Sequence, residues 1–277
     1  MPFPVPAPST SESADAKRDE RKRQASPPSS FYAQSQAILT TVKYIEPLHS
    51  GYEGAARKHK NRTRSALLVQ LMASFEFAMK DFLAQTLNTT HIYDDDVQTW
   101  SWLKLDVATV LSTREGLAGL GAVLIHPLQG WQTPETMNSR YKDVFQRQPI
   151  ADSEVQTLRD LWIIRHSIAH NGGIVTAPDA RRLREASLAE RQVLIDVDHL
   201  EQAVSFLRCI VERLETVVGG ALLQRWFDEG SAGTWNADAD AYKPLKALTT
   251  YIRSRPQELQ DADEAMYSAD RTRYVQS

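Results

Sequence analysis

Residues 65–87, SALLVQLMASFEFAMKDFLAQTL, constrain the fold of this chain more than any other stretch. Wound into a helix, the segment is apolar on most of its sides. Such an element must be surrounded by others, so it reads as the central helix of a bundle. Glu76, Lys80 and Asp81 fall inside it. Charges of this kind are expensive in hydrocarbon, so the helix is not a membrane span. No other run reaches the roughly 18 apolar residues that a span needs. The same helix begins earlier, in the basic run Arg57, Lys58, His59, Lys60, Arg62 and Arg64, and is expected over 53–88.

Helical signals surround this core element. A first helix is expected over 31–46, stopping near Pro47, and another over 95–112, behind Asp94, Asp95 and Asp96, whose charges suit a positive helix start. Residues 113–150 read as an irregular insertion, broken by Gly116, Gly119, Gly121 and Gly130. Within it a short strand, AVLI at 122–125, and a helix at 135–147 are expected. Helices at 153–171, 178–191 and 198–226 follow, with the apolar segment VLIDV at 193–197 between the last two. The tail is polar and carries short helices near 239–254 and 256–270. The expected fold is all-α: an up-and-down helical bundle with flanking accessory helices. Residues 1–30 hold six of the 13 prolines and no Trp, Tyr, Ile or Leu, so they bury too little to offset chain entropy and read as disordered. The expected division is a tail at 1–30, a helical domain at 31–227 and an accessory segment at 228–277.

Composition narrows the chemistry. One cysteine, Cys209, cannot form an internal disulfide or supply a thiolate cluster for zinc or iron–sulfur. The formal net charge of −3 argues against a globally basic nucleic-acid binder but leaves room for a local patch. The N-terminal stretch has no apolar core of a signal peptide. With a lone thiol and no span, a reducing cytoplasm is the expected compartment, with no membrane partner. Gly116–Gly121 lacks the third glycine of a dinucleotide loop and there is no phosphate-loop lysine, so no nucleotide cofactor is expected.

The segment 152–173, DSEVQTLRDLWIIRHSIAHNGG, carries the main functional signal. Ser153 and Gln156 have capping-box spacing, and Gly172–Gly173 supply a left-handed stop. At about 100° per residue, Val155, Leu158, Leu161, Trp162, Ile168 and Ala169 gather on one face, with Arg165 in its midst. A guanidinium there needs a carboxylate partner, a cavity or an interface. His166 and His170 lie one turn apart at the helix end, where the backbone dipole favours cations.

Arg165-His166-Ser167-Ile168-Ala169-His170-Asn171-Gly172 resembles the R-x4-H signature of HEPN domains, and the likeness extends over about 31–226. The helix LVQLMASFEFAMKDFL is similar to the family's long core helix, particularly in the RiboL-PSP-type subgroup. His166 stands where the family usually has another polar residue, often Asn. The resemblance implies a HEPN-like bundle that cleaves RNA without a metal, through a cleft shared by two protomers, leaving 2′,3′-cyclic phosphate and 5′-hydroxyl ends. It also implies a toxin or antiphage defence effector, with an antitoxin or other defence protein as a possible partner.

The residue types suit that chemistry. His170 is the expected general acid/base, since imidazole titrates near neutrality. Arg165 is the expected phosphate and transition-state stabiliser, because its donors are fixed in a fork. His166 is a further catalytic candidate, while Glu76 and Asn171 are supporting candidates. Other readings stay open. Arg165 can be the structural partner of a core carboxylate, with Glu76 the natural choice, and Asn171 can be a helix C-cap. His166-x3-His170 has metal-ligand spacing, but no third ligand is evident and no metal is expected. Arg57, Lys58, Lys60, Arg62 and Arg64 form either an RNA-binding patch or a solvated face. Trp100, Trp102, Trp162 and Trp226 either stack bases or pack in the core. The whole can be a ribonuclease, a non-catalytic HEPN module binding RNA or protein, or a helical scaffold.

Overall fold

A computed structural model describes residues 26–48, 53–90, 92–103, 120–125, 130–229, 248 and 252. These residues are predominantly helical, and among them there is no strand, so the fold is all-α. The helices are α1 (Pro27–Leu48), α2 (Glu53–Thr89), α3 (Asp94–Val97), α4 (Leu120–Ile125), α5 (Pro134–Phe145), α6 (Asp152–His170), α7 (Ala177–Arg182), α8 (Val197–Arg213) and α9 (Gly219–Glu229).

Helix α2 is central, as its apolar circumference requires. Leu71, Met72, Phe75, Met79, Phe82 and Leu83 along it are fully buried. Helices α1, α4, α6 and α8 all pack on it. Each buried phenylalanine contributes roughly 2 kcal/mol by burial alone. Helix α1 starts earlier than the disorder expected over 1–30 allows. Ser26, itself buried, accepts the Ser29 N–H on its Oγ at 3.1 Å, and Pro27 takes the first helical position, where a missing N–H does no harm. Residues 1–25 lie outside the described residues.

The segment 122–125 is not a strand but part of helix α4. A short apolar run does not distinguish the two, and packing decides. A Cβ on Gly121 would lie 1.9 Å from the carbonyl oxygen of Ala84, so α4 approaches α2 with backbones in contact. The Gly121 N–H donates to Asn88 Oδ1 at 2.7 Å. Only a side chain of hydrogen fits that crossing.

The helix expected over 95–112 is described only as α3, followed by turns to Leu103; residues 104–119 lie outside the described residues. The helix expected over 178–191 stops at Arg182, because Arg184 and Glu190 both take φ of 60°, which breaks helical geometry. The chain then returns beside Gly173–Val175, with one isolated bridge between Ile174 and Gln192. VLIDV is held by a side chain: Asn61 on α2 donates to the Val193 carbonyl at 3.0 Å and accepts from the Ile195 N–H at 2.8 Å. Asn138 on α5 does the same for both backbone groups of Ile150. The closing helix runs over 197–229 with a π-turn, Leu214–Val218, inside it. The division expected at 227/228 therefore falls within α9, and Leu248 and Ile252 lie fully buried in the same core. The short helices expected over 239–254 and 256–270 otherwise lie outside the described residues.

Candidate functional site

Helix α6 builds the site from its own local sequence. Its first turn is closed by Glu154, whose Oε2 accepts the Ala151 N–H at 2.9 Å. The Ser153–Gln156 capping box does not form; Ser153 is exposed in the first turn. The helix closes as expected, with Gly172 at φ 63° and Gly173 at φ 85°. The carbonyl of Ser167 takes the N–H groups of both Asn171 and Gly173, at 3.0 and 2.9 Å. Asn171 is thus the C-cap residue, held through its backbone.

Leu158, Trp162, Ile163 and Ser167 form the buried side of α6, with Trp162 against Phe75 of α2. Ala169, expected on the buried face, is exposed, because that face narrows towards the helix end. Arg165 sits at the edge of the contact with α2. Its side chain is 23% exposed, and its Nη1 lies 4.0 Å from Glu76 Oε2. The expected partner is therefore present, but the contact is longer than a hydrogen bond. Arg165 Nε is buried with no hydrogen-bond partner. Glu76 also faces Lys80, one turn along α2, at 3.3 Å. Arg165 is neither sealed in the core nor free on the surface.

His166 and His170 are exposed, and their rings lie 4.7 Å apart between centroids, tilted by 41°. Five residues of helix separate Arg165 from His170 by about 140° of arc and roughly 7.5 Å of rise. The chain therefore presents the guanidinium towards α2 and the imidazoles towards solvent. Among the described residues no group of three or more metal-ligating side chains exists, so the two histidines lack further protein ligands there.

The basic run on α2 divides. Lys60 lies 3.3 Å from Glu46 of α1, and Arg64 donates to Glu46 Oε1 from Nε at 2.8 Å and to the Ile195 carbonyl from Nη1 at 3.3 Å. Burial pushes the Glu46 carboxyl up, but the hydrogen bonds from Arg64 and Lys60 overcome it and hold the group below its ordinary range. These two cations pin α1 to α2. Arg57, Lys58 and Arg62 are exposed.

The four tryptophans named as candidates pack within the fold. Trp100, Trp162 and Trp226 are buried, and Trp102 stacks on Trp100 at 5.5 Å while donating its Nε1–H to Asp143. Buried Arg140 lies over both Trp102 and Trp131. Sequence reasoning missed Lys80 as a neighbour of the site, although its spacing of four residues from Glu76 was a usable signal. Among the described residues, no helix is long and apolar enough to cross a membrane. The chain matches no protein-family model, no curated protein and no solved structure.

Proposed function

We propose that this chain is a HEPN-type endoribonuclease that cuts RNA without a metal and acts as a homodimer. One observation carries the reading: a partly buried, loosely held arginine and two exposed, neighbouring histidines occupy the last two turns of one helix. Nothing in ordinary packing asks for that grouping, and local patterns that serve no packing need tend to mark function.

In the reaction, His170 takes the proton from a ribose 2′-hydroxyl or gives one to the leaving 5′-oxygen. Arg165 holds the scissile phosphate and the charge that develops on it. His166 orients water or the phosphate. The arc between Arg165 and His170 supports a two-chain site, in which two α6 ends meet across a two-fold axis. Function as a toxin or antiphage defence effector in the cytoplasm, with an antitoxin or other defence-system protein as partner, belongs to the same proposal. The engagement of Arg165 by Glu76 favours a competing non-catalytic reading, a helical scaffold with a structural ion pair, beside which stands a HEPN module that binds RNA or protein without cutting.

Purified protein incubated with single-stranded RNA in EDTA separates cleavage from the non-catalytic readings. Cleavage is expected, with 5′-hydroxyl products, and Arg165→Ala and His170→Ala abolish it. Scattering is expected to report about twice the chain mass of 31.2 kDa. Equal activity in both variants, or a monomer at every concentration, sinks the proposal.

A further inference from the structure

Glu76 presents its two carboxylate oxygens to cations on two helices. Oε1 is 3.3 Å from Lys80 Nζ on α2, and Oε2 is 4.0 Å from Arg165 Nη1 on α6. The side chains of Lys80 and Glu76 are 16% and 14% exposed, so all three groups are partly desolvated. Within this trio two positive charges share one negative charge. The sharing is also loose, since the Arg165 contact is beyond hydrogen-bond length and its Nε has no partner. Desolvated cations with incomplete pairing attract an anion that can supply more acceptors. Two oxygens of a phosphodiester are spaced much as those of a carboxylate, so the gap that Glu76 fills between Lys80 and Arg165 suits a phosphate.

We propose that Lys80 is a second phosphate-contacting residue of the Arg165 site, and that Glu76 is an internal anion that occupies both cations until RNA phosphate displaces it. The inference rests on the RNA reading above and adds to it a residue and an order of events: the carboxylate leaves as the phosphodiester arrives.

The test measures binding of a short fluorescent oligouridine to the full chain in a His170→Ala background, at a series of salt concentrations. Lys80→Gln is expected to weaken binding about tenfold and to lower the slope of log affinity against log salt by roughly 0.7, the share of one phosphate on a single strand. Lys80→Arg restores both. Glu76→Gln tightens binding, because the competing anion is gone. Should Lys80→Gln fail to fold by circular dichroism, Lys80→Met, which keeps the packed stem, reads the same loss. Unchanged affinity and slope in the Lys80 variants, alongside weakened binding in Arg165→Ala, overturns the role of Lys80 and leaves the RNA reading standing. Weaker binding in Glu76→Gln overturns the displacement step. If Arg165→Ala also binds RNA unchanged, the RNA reading of the site itself falls.

Discussion

Arg213 of α8 grips Glu154 of α6 at two points: Nη1 to Oε2 at 2.5 Å and Nη2 to Oε1 at 2.9 Å. The same guanidinium donates to the Pro149 carbonyl at 2.8 Å, and the same carboxylate caps the first turn of α6. One ion pair therefore sets where the helix bearing Arg165 and His170 begins. Arg213→Ala is expected to lower stability by about 2 kcal/mol, the scale of a charge-assisted hydrogen bond, as read by denaturant unfolding.

The pair also has a pH signature. Burial pushes the Glu154 carboxyl up, but the hydrogen bonds from Arg213 and from the Ala151 N–H outweigh it and hold the group below its ordinary value of 4.5. A carboxylate depressed in the folded state contributes stability that is present above its unfolded pKa and lost as pH falls through the folded one. Glu46 behaves alike. Melting temperature is expected to fall from about pH 4.5 downward, and the Arg213→Ala variant to show a shallower fall. Identical profiles in the two proteins contradict this account.

Asn61 replaces a strand partner for Val193–Ile195. Asn61→Asp loses the donor to Val193 while keeping the acceptor for Ile195, and Asn61→Leu loses both. Leu is expected to cost about 2 kcal/mol and Asp about half of that. Hydrogen exchange at the Ile195 amide is the direct measure, and it should accelerate most in the leucine variant.

At Gly219 a Cβ would lie 2.3 Å from Cγ2 of Ile252. Gly219→Ala is expected to destabilise by roughly 1–3 kcal/mol through overpacking. Ile252→Ala alone destabilises by opening space, whereas the double variant recovers part of the loss. Strict additivity in this cycle would show that the two residues do not touch.

The basic run on α2 supports a split prediction. Lys60→Ala and Arg64→Ala are expected to lower stability, since both engage Glu46. Arg57→Ala, Lys58→Ala and Arg62→Ala are expected to leave melting unchanged and to reduce RNA affinity and its salt slope. Thermal melts and RNA titrations across the five variants check this, and a uniform response in all five refutes it.

Several features were legible along the chain because they depend on short-range geometry. The central position of α2 follows from apolar residues on most of its sides, and the end of α6 follows from two adjacent glycines that accept positive φ. The clustering of His166 with His170 follows from helical pitch. Other features depend on what arrives from elsewhere in the chain. Whether 122–125 is strand or helix rests on Gly121 meeting Ala84, and whether Lys60 and Arg64 face solvent rests on Glu46 of another helix. The setting of Arg165, between a loose carboxylate and partial solvent, is decided by how α6 lies on α2. Periodicity states which side of a helix a residue occupies. Only tertiary packing decides what stands opposite, because burial and Coulomb energy depend on separation in space rather than along the chain.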